Sequence, residues 1–332
     1  MYVDKTYTST SDSFTGTLTS LEPSTIYYYR AYVILNNSTY VFGDVQSFQT
    51  TAAQDNPGTD KGWLELPRST TGSDYYTGTF MAGSARNYTY MYQYSTYTSL
   101  WTAYPLYSDT MGGGYSANWK KNPNIAESAQ VNCWDASYNV NYGDTYWSST
   151  QGSEFYARGH NIPNADRNGN STMQTQTFYA TNSTPQIQNK FNASIWNALE
   201  GDVRTVASSD TVYVVTGATF QKVGETKPVT RIHPKGDETK EVPVPNYYWK
   251  VLLKVEWSTS GNTKTVSSAK AIGVWIPHQQ YNNNDYSSYI TSVDQIEEWT
   301  GFDFFANLPG TQTSGIEQSA ESNTSWSQFQ SF

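Results

Sequence analysis

The sequence predicts an α+β fold: a central antiparallel sheet flanked by few helices, with a strand–loop–strand–helix unit set into it and a partial β-sandwich module in front. Three observations predict it. Apolar residues make up 37% of the 332 residues, but aromatic rings alone account for 16%, leaving few aliphatic side chains for long amphipathic helices. Tyr, Thr, Ser and Asn dominate instead, the composition of twisted sheet and polar loops. Alternating runs recur along the chain, whereas only two stretches carry a helical period. At about 150 residues per domain, the length fits one large domain and a smaller one.

The same arithmetic excludes several functions. A net charge of −9 rules out a polycationic coat for nucleic acid, though not a local basic groove. A single cysteine, Cys133, excludes an intrachain disulfide, a Cys-rich zinc site and an iron–sulfur cluster. Three histidines (His160, His233 and His278) limit imidazole chemistry. No apolar run approaches the ~18 residues of a membrane span. The first residues lack the basic and apolar regions of a secretory signal.

Residues 14–50 alternate as strands do, with a loop at Leu21-Glu22-Pro23-Ser24-Thr25 and strands at Ile26–Val33 and Val45–Thr50 around a Gly43 turn. Leu-x-Pro-x-Thr-x-Tyr leading into a Tyr-rich strand, closed by Phe-x-Thr, resembles the second half of a fibronectin type III module. Half a sandwich cannot bury both faces of its core, so residues 1–50 are expected to be a truncated module or to lean on a neighbour. A polar linker follows at Thr51–Gly62, punctuated by Pro57-Gly58.

From Trp63 to Pro309 the chain reads as one α+β domain. Strands are expected at Tyr88–Tyr94, Leu100–Tyr107, Glu154–Ala157, Thr177–Thr181, Thr211–Thr216, Tyr247–Glu256 and Ala269–Ile276. Gln188–Arg204 reads as a helix, because Phe191, Ile195, Leu199 and Val203 recur at steps of four. Ser292–Thr300 reads as another, with Ser292 as N-cap and Gly301 as stop. Residues 221–246 are charged and contain proline, which predicts an exposed hairpin tip. Residues 310–332, rich in Ser, Gln, Thr and Asn, are expected to be disordered.

There is no Gly-Lys-Ser/Thr phosphate loop, no Gly-x-Ser-x-Gly elbow and no His-Glu-x-x-His. The informative stretch is Phe155–Arg204, where His160 ends a strand behind Arg158 and Gly159. A second strand and a helix follow, and on that helix Asn192, Trp196, Glu200 and Arg204 recur every four residues. Phosphodiester hydrolysis needs a base for water, a cation near the leaving oxygen and donors for the developing charge. A neutral imidazole suits the base, an amide oxygen with waters suits Mg²⁺, and arginines pair with phosphate oxygens. Taken singly, these residues have plainer readings: a surface histidine, an exposed helical Asn192, an i,i+4 ion pair of Glu200 with Arg204, and an ion pair of Asp166 with Arg167 in a loop.

Jointly they resemble the DNA/RNA non-specific endonuclease family of the ββα-metal (His-Me finger) superfamily. The family's Asp-Arg-Gly-His is answered by Ala157-Arg158-Gly159-His160. Its Phe/Tyr-x-x-Asn-x-x-Pro-Gln block matches Phe178 through Gln186, with Asn182 in place. Its helix block matches Asn192, Trp196, Leu199, Glu200 and Arg204 in register. Outer stretches at 101–104, 213–217, 248–251 and 293–305 fit as well, so the resemblance spans about residues 62–309.

The resemblance implies an embedded ββα-metal finger and an Mg²⁺-dependent endonuclease acting on DNA and RNA, with Mn²⁺ or another divalent cation as alternatives. It implies products with 5′-phosphate and 3′-hydroxyl ends. His160 would be the general base, Asn192 the direct metal ligand, and Glu200 the holder of metal-bound waters. Arg158 and Arg204 would steady the phosphate, and Asn182 would support the site. One departure stands out: Ala157 replaces the motif's aspartate and removes a carboxylate that would orient the ligands. The acidic balance requires Arg158, Arg167, Arg204, Lys120 and Lys121 to cluster around one cleft if DNA is to be steered in. A secreted or envelope-associated bacterial setting is expected, with the signal segment outside this chain. The competing reading is an envelope-associated glycan- or protein-binding module on a catalytically degenerate nuclease fold.

Overall fold

A computed structural model describes residues 26–35, 38–49, 63–68, 70–114, 116–260, 263–309 and 315–332. The chain divides into two units, Met1–Gly58 and Thr59–Phe332. In the first unit, β1 (Ile26–Tyr29), β2 (Tyr32–Ile34), β3 (Tyr40–Phe42) and β4 (Gln46–Gln49) form two antiparallel pairs, β1 with β4 and β2 with β3. The strand expected at 26–33 is broken at Arg30-Ala31. Large side chains such as Tyr28 and Val33 stay exposed, so the described residues of this unit close no core of their own. The loop at 21–25 and the onset of alternation at 14 lie outside the described residues. The fibronectin likeness therefore remains a likeness of sequence.

The second unit opens with β5 (Tyr75–Ala82), β6 (Ala85–Gln93) and β7 (Thr98–Leu106). The finger follows as β8 (Tyr156–His160), α1 (Ser171–Thr177), β9 (Ser183–Ile187), a wide-turn segment over Gln188–Trp196, and α2 (Asn197–Ala207). Then come β10 (Val212–Thr219), β11 (Arg231–Ile232), β12 (Val242–Pro243), β13 (Tyr247–Ser260), β14 (Thr263–Pro277) and β15 (Ile290–Thr291). Three helices close the chain: α3 (Val293–Thr300), α4 (Gly315–Glu321) and α5 (Trp326–Gln330). Seven strands form one antiparallel sheet in the order β15-β14-β13-β10-β7-β6-β5.

Alternation along the strands gives the sheet two buried faces. Tyr248, Leu252, Val214, Val274 and Tyr104 pack with Phe191, Trp196 and Leu199 of the finger. Val251, Leu253, Val215, Trp101 and Ala271 pack against Val293 and Ile296 of α3 and Ala320 of α4. Each fully buried side chain of this kind contributes about 1.5–3 kcal/mol. The sheet is thus sandwiched, with the finger on one face and α3 and α4 on the other. Helix α3 has the expected ends: the Ser292 side chain accepts from Gln295 N, and Gly301 takes φ 74°, the left-handed conformation that glycine adopts without strain. Among the described residues no helix is long and apolar enough to cross a membrane.

Two expectations are corrected. The stretch 221–246 is no free tip, because Ile232, Val242 and Val244 are buried in the finger-side core. Nor are residues 315–332 disordered: they form α4 and α5 and cover the β14 edge of the sheet. Asn323 Nδ2 donates to Ala271 O at 2.9 Å, Lys254 Nζ donates to Phe332 O at 2.7 Å, and Phe329 is fully buried. A polar composition hid a few well-placed apolar side chains, and an open sheet edge supplied the partner. Phe329→Ala is accordingly expected to lower stability by about 3–5 kcal/mol, read as a shift of the urea midpoint. A tail that contributes nothing to the fold would leave the midpoint unmoved.

Candidate active site

Strand β8 carries Arg158 and His160 at alternate positions, so both project to one side. Its partner is β9, with Arg158 opposite Pro185, Gly159 opposite Thr184 and His160 opposite Ser183. The second strand therefore lies at 183–187 instead of the expected 177–181. Residues 171–177 are helical, started by Asn170, whose side chain accepts from Thr172 N and Met173 N. Gly159 is required by its neighbour across the pair: an added Cβ would lie 2.3 Å from Gln186 Oε1 and 2.5 Å from Gln186 Cβ. Gly159→Ala is expected to destabilise the protein by about 1–3 kcal/mol through overpacking. Chemical denaturation measures this, and a neutral result would show that β9 can shift to make room, since Gln186 Cβ moves only with its backbone.

Asn182 does not line the cavity. Its Nδ2 donates to Ile162 O at 3.0 Å and Thr177 O at 2.9 Å, and its Oδ1 accepts from Ile162 N at 3.0 Å. These bonds clamp the chain leaving His160, so Asn182 is a positioning residue.

The expected helix over 188–204 is not uniform. Residues 188–196 make π-type turns, with Ser194 at φ −122° and ψ −111°, before α2 begins. The Glu154 carboxylate accepts from Asn189 N and Lys190 N at 2.8 and 2.9 Å and so caps the first of these turns. Wider turns bring residues five apart into line, and Asn192 shares the cavity with Asn197. Trp196, the aromatic residue of the helix block, is a core residue, buried and stacked on Phe191 at 5.9 Å. Asn197 was invisible to a count by steps of four, since a single residue type five positions on carries no signal.

A cavity of about 430 Å³ is lined by Trp119, Arg158, His160, Asn192, Glu200 and Arg204, along with Ala157 and Asn197. Five of the six expected catalytic and metal residues, drawn from separate blocks, thus meet in one place. His160 is half-buried between aromatic rings, 4.8 Å from Trp119 and 5.3 Å from Phe178. Its Nε2 is buried without a hydrogen-bond partner, which leaves Nδ1 as the nitrogen toward the cavity. Burial, and then the nearby Arg158, push its pKa down to about 4. Arg158 lies over the Trp119 ring, 4.6 Å from its centroid, and donates from Nη1 to Cys133 O at 2.9 Å. No motif pointed to Trp119, which comes from a loop some forty positions earlier in the chain.

Arg204 Nη1 bonds Asp166 Oδ1 at 3.0 Å and lies 3.8 Å from Glu200 Oε2. Asp166 also accepts from Tyr104 Oη at 2.8 Å. The ion pair of Asp166 is therefore with Arg204 and not with its sequence neighbour. Arg167 is buried in the core, its Nε donating to Asn87 Oδ1 at 2.7 Å and its Nη2 to Pro105 O at 2.8 Å. Lys121 pairs with Glu127 on the surface. Of the five basic residues whose clustering would steer DNA into one cleft, Arg158 and Arg204 line this cavity and the other three do not. Burial raises the Glu200 carboxyl to about 7, against the pull of the buried Lys250 and with Asp166 adding to the rise. Lys250, whose Nζ lies 3.1 Å from Thr216 Oγ1 and 4.7 Å from the Trp196 ring centroid, is a further cation beneath the site.

The donors suit a hard cation. Asn192 Nδ2 donates to Gln188 Oε1 at 3.1 Å, its Oδ1 accepts no hydrogen bond among the described residues, and Glu200 faces the same cavity. An amide oxygen and a carboxylate lining one open cavity fit an Mg²⁺-class ion, which keeps several waters.

A family model described as DNA/RNA non-specific endonuclease matches residues 71–311. A curated nuclease of Nostoc sp. is 33% identical over 165 residues, covering 48% of this chain and 54% of that protein. A nuclease of Syncephalastrum racemosum is 32% identical over 165 residues, covering 47% and 49%. A nuclease of Serratia marcescens is 27% identical over 212 residues, covering 63% and 69%. The chain thus spans about half the length of the first two. A chain in the crystal structure of the EndoG/EndoGI complex aligns with a TM-score of 0.50 at 19% identity, covering 74% of this chain and 89% of that one, which shows a shared fold.

Proposed function

The chain belongs to the DNA/RNA non-specific endonuclease family, and from that membership we propose that it is a divalent-metal-dependent endonuclease hydrolysing phosphodiester bonds of both DNA and RNA. The observation that carries this reading is the convergence of His160, Arg158, Asn192, Glu200 and Arg204 on one cavity.

In this mechanism His160 accepts a proton from water at Nδ1, the ring nitrogen facing the cavity. The resting imidazole is a weak base, held low by burial and by Arg158. An incoming phosphate brings negative charge beside it and raises its basicity as substrate binds. Arg158 and Arg204 offer guanidinium donors to the phosphate oxygens. Asp166 holds Arg204 in place, and the Trp119 ring holds Arg158. A divalent cation held by Asn192 directly and by Glu200 through water would supply charge neutralisation at the leaving 3′ oxygen. The activated water oxygen bonds to phosphorus as the bond to the 3′ oxygen breaks, and that oxygen takes up a proton from solvent, which leaves 5′-phosphate and 3′-hydroxyl ends.

Ala157 lines the cavity where the family motif has aspartate. That single observation favours a second reading, a nuclease fold that binds without cutting. Incubating the purified chain with supercoiled plasmid and with single-stranded RNA, with and without Mg²⁺, separates the two. Cleavage of both substrates only with the cation, leaving ends that accept ligation without kinase treatment, supports the enzyme. Retention of nucleic acid with no cleavage under any divalent cation would leave the binding reading standing.

A further inference from the structure

On the face of the sheet opposite the cavity, α3 and α4 bring acidic side chains together. Asp294 and Glu297 stand one turn apart on α3, and Glu321 ends α4. One ligand oxygen from each lies within 4.8 Å of the others. Glu321 is fully buried, and neither of its carboxylate oxygens has a hydrogen-bond partner. From these observations we propose a second divalent-cation site, of the Ca²⁺ class, formed by Asp294, Glu297 and Glu321 and joining α4 to α3.

The argument starts from the unpartnered carboxylate. A buried, unpaired carboxylate is strongly unfavourable, and proteins place one only beside a cation or in its protonated form. The other charged groups facing it make matters worse: Glu317, itself buried, and Asp303 carry the same sign. The basic group nearby, Arg68, is paired with Asp303 at 2.5 Å. Burial and this acidic company push Glu321 up to about 10 and Glu297 up to about 8. A group of carboxylates so raised either takes up protons or takes up a cation. Glu297 Oε1 already accepts from Phe304 N at 2.6 Å, a contact that fixes its direction and favours its charged form.

The ligand chemistry selects the ion. All donors are carboxylate oxygens, with no imidazole or thiolate, which points away from zinc and copper. Ca²⁺ accepts six to eight oxygens in flexible geometry, including bidentate carboxylates, and sheds water more readily than Mg²⁺. That suits Glu321, which is inaccessible to water, while the partly exposed Asp294 gives an entry path. Bound there, the ion would pin α4 to α3 and hold the tail over the sheet edge.

Thermal unfolding of the EDTA-treated full chain at pH 7.5, titrated with CaCl₂ and separately with MgCl₂, tests the proposal. Ca²⁺ is expected to raise the wild-type Tm by about 5 °C or more at saturation, and Mg²⁺ by less. Glu321→Gln should abolish the Ca²⁺ shift, and Asp294→Asn, an isosteric change at a partly exposed position that does not threaten folding, should weaken it. Asn192→Ala, which alters the other site, should keep it. The proposal is overturned by no Ca²⁺ shift in the wild type, or by a larger shift with Mg²⁺. It is equally overturned by a shift that survives Asp294→Asn but disappears in Asn192→Ala. A Glu321→Gln protein stable without Ca²⁺, beside a wild type indifferent to the ion, would identify a protonated cluster instead.

Discussion

Replacing His160 by alanine is expected to reduce cleavage of duplex DNA and of RNA alike by about 10²–10⁴-fold, the usual contribution of a positioned general base. Both substrates should suffer equally, because the attacked group is the phosphodiester they share. The loss should be chemical, not structural: the His160 side chain makes ring contacts but no hydrogen bond among the described residues. Circular dichroism should therefore be unchanged, and free imidazole should restore part of the rate to His160→Gly. The pH profile carries a further expectation. With its pKa pushed down to about 4, the imidazole stays neutral, and able to accept a proton, across the mildly acidic range. Glu200, pushed up to about 7, loses its charge first as pH falls. The acid limb should then lie near neutrality at low cation concentration and move to lower pH as cation is added, since a cation favours the ionised carboxylate. A limb that ignores cation concentration would assign the titration elsewhere. A folded His160→Ala protein cutting at the wild-type rate would end the general-base assignment.

Asn192→Ala should reduce activity by about 10²-fold or more at limiting Mg²⁺, at least the loss seen when residues behind a metal's own ligands are removed. An amide oxygen is a weak single ligand, so affinity for the ion should be modest and excess EDTA should stop cleavage completely. Raising the Mg²⁺ concentration should recover part of the variant's rate, because Glu200 and Asn197 still face the cavity. Undiminished plasmid digestion in excess EDTA would contradict a metal mechanism. Stability should hardly change, since Asn192 is half-buried and its Nδ2 bonds only Gln188.

The site was legible where local chemistry and spacing coincide. Arg158 and His160 sit two apart on a strand, so one face follows from the backbone alone. Glu200 and Arg204 sit four apart on α2, and the structure keeps them 3.8 Å apart. The apolar stripe of Phe191, Ile195, Leu199 and Val203 is buried as its period predicts. Spacing failed where the backbone left its usual geometry. Asn197, five positions after Asn192, lines the cavity because the turns before α2 are wide. The second strand lies six residues further on than expected: Thr177–Thr181 has the composition of a strand, whereas the strand that forms, β9, contains Pro185. Pro185 is tolerated in β9, which pairs with β8 alone and belongs to no larger sheet.

By itself the sequence determined the class of fold, most of the antiparallel strands that build it, the ends of α3 and which residues are the candidates for base and metal ligand. All of these rest on residues near one another in the chain, where periodicity, capping and motif spacing act directly. Only the tertiary structure decided what depends on contacts between distant segments. It brought Trp119 against Arg158 and His160, and turned Asp166 toward Arg204 while sending Arg167 to the core. It also folded a polar tail onto an open sheet edge, leaving Glu321 buried without a partner. Burial and charge are properties of the assembled neighbourhood. The depressed imidazole of His160 and the raised carboxyls of Glu200 and Glu321 therefore exist only once the sheet has brought those neighbours together.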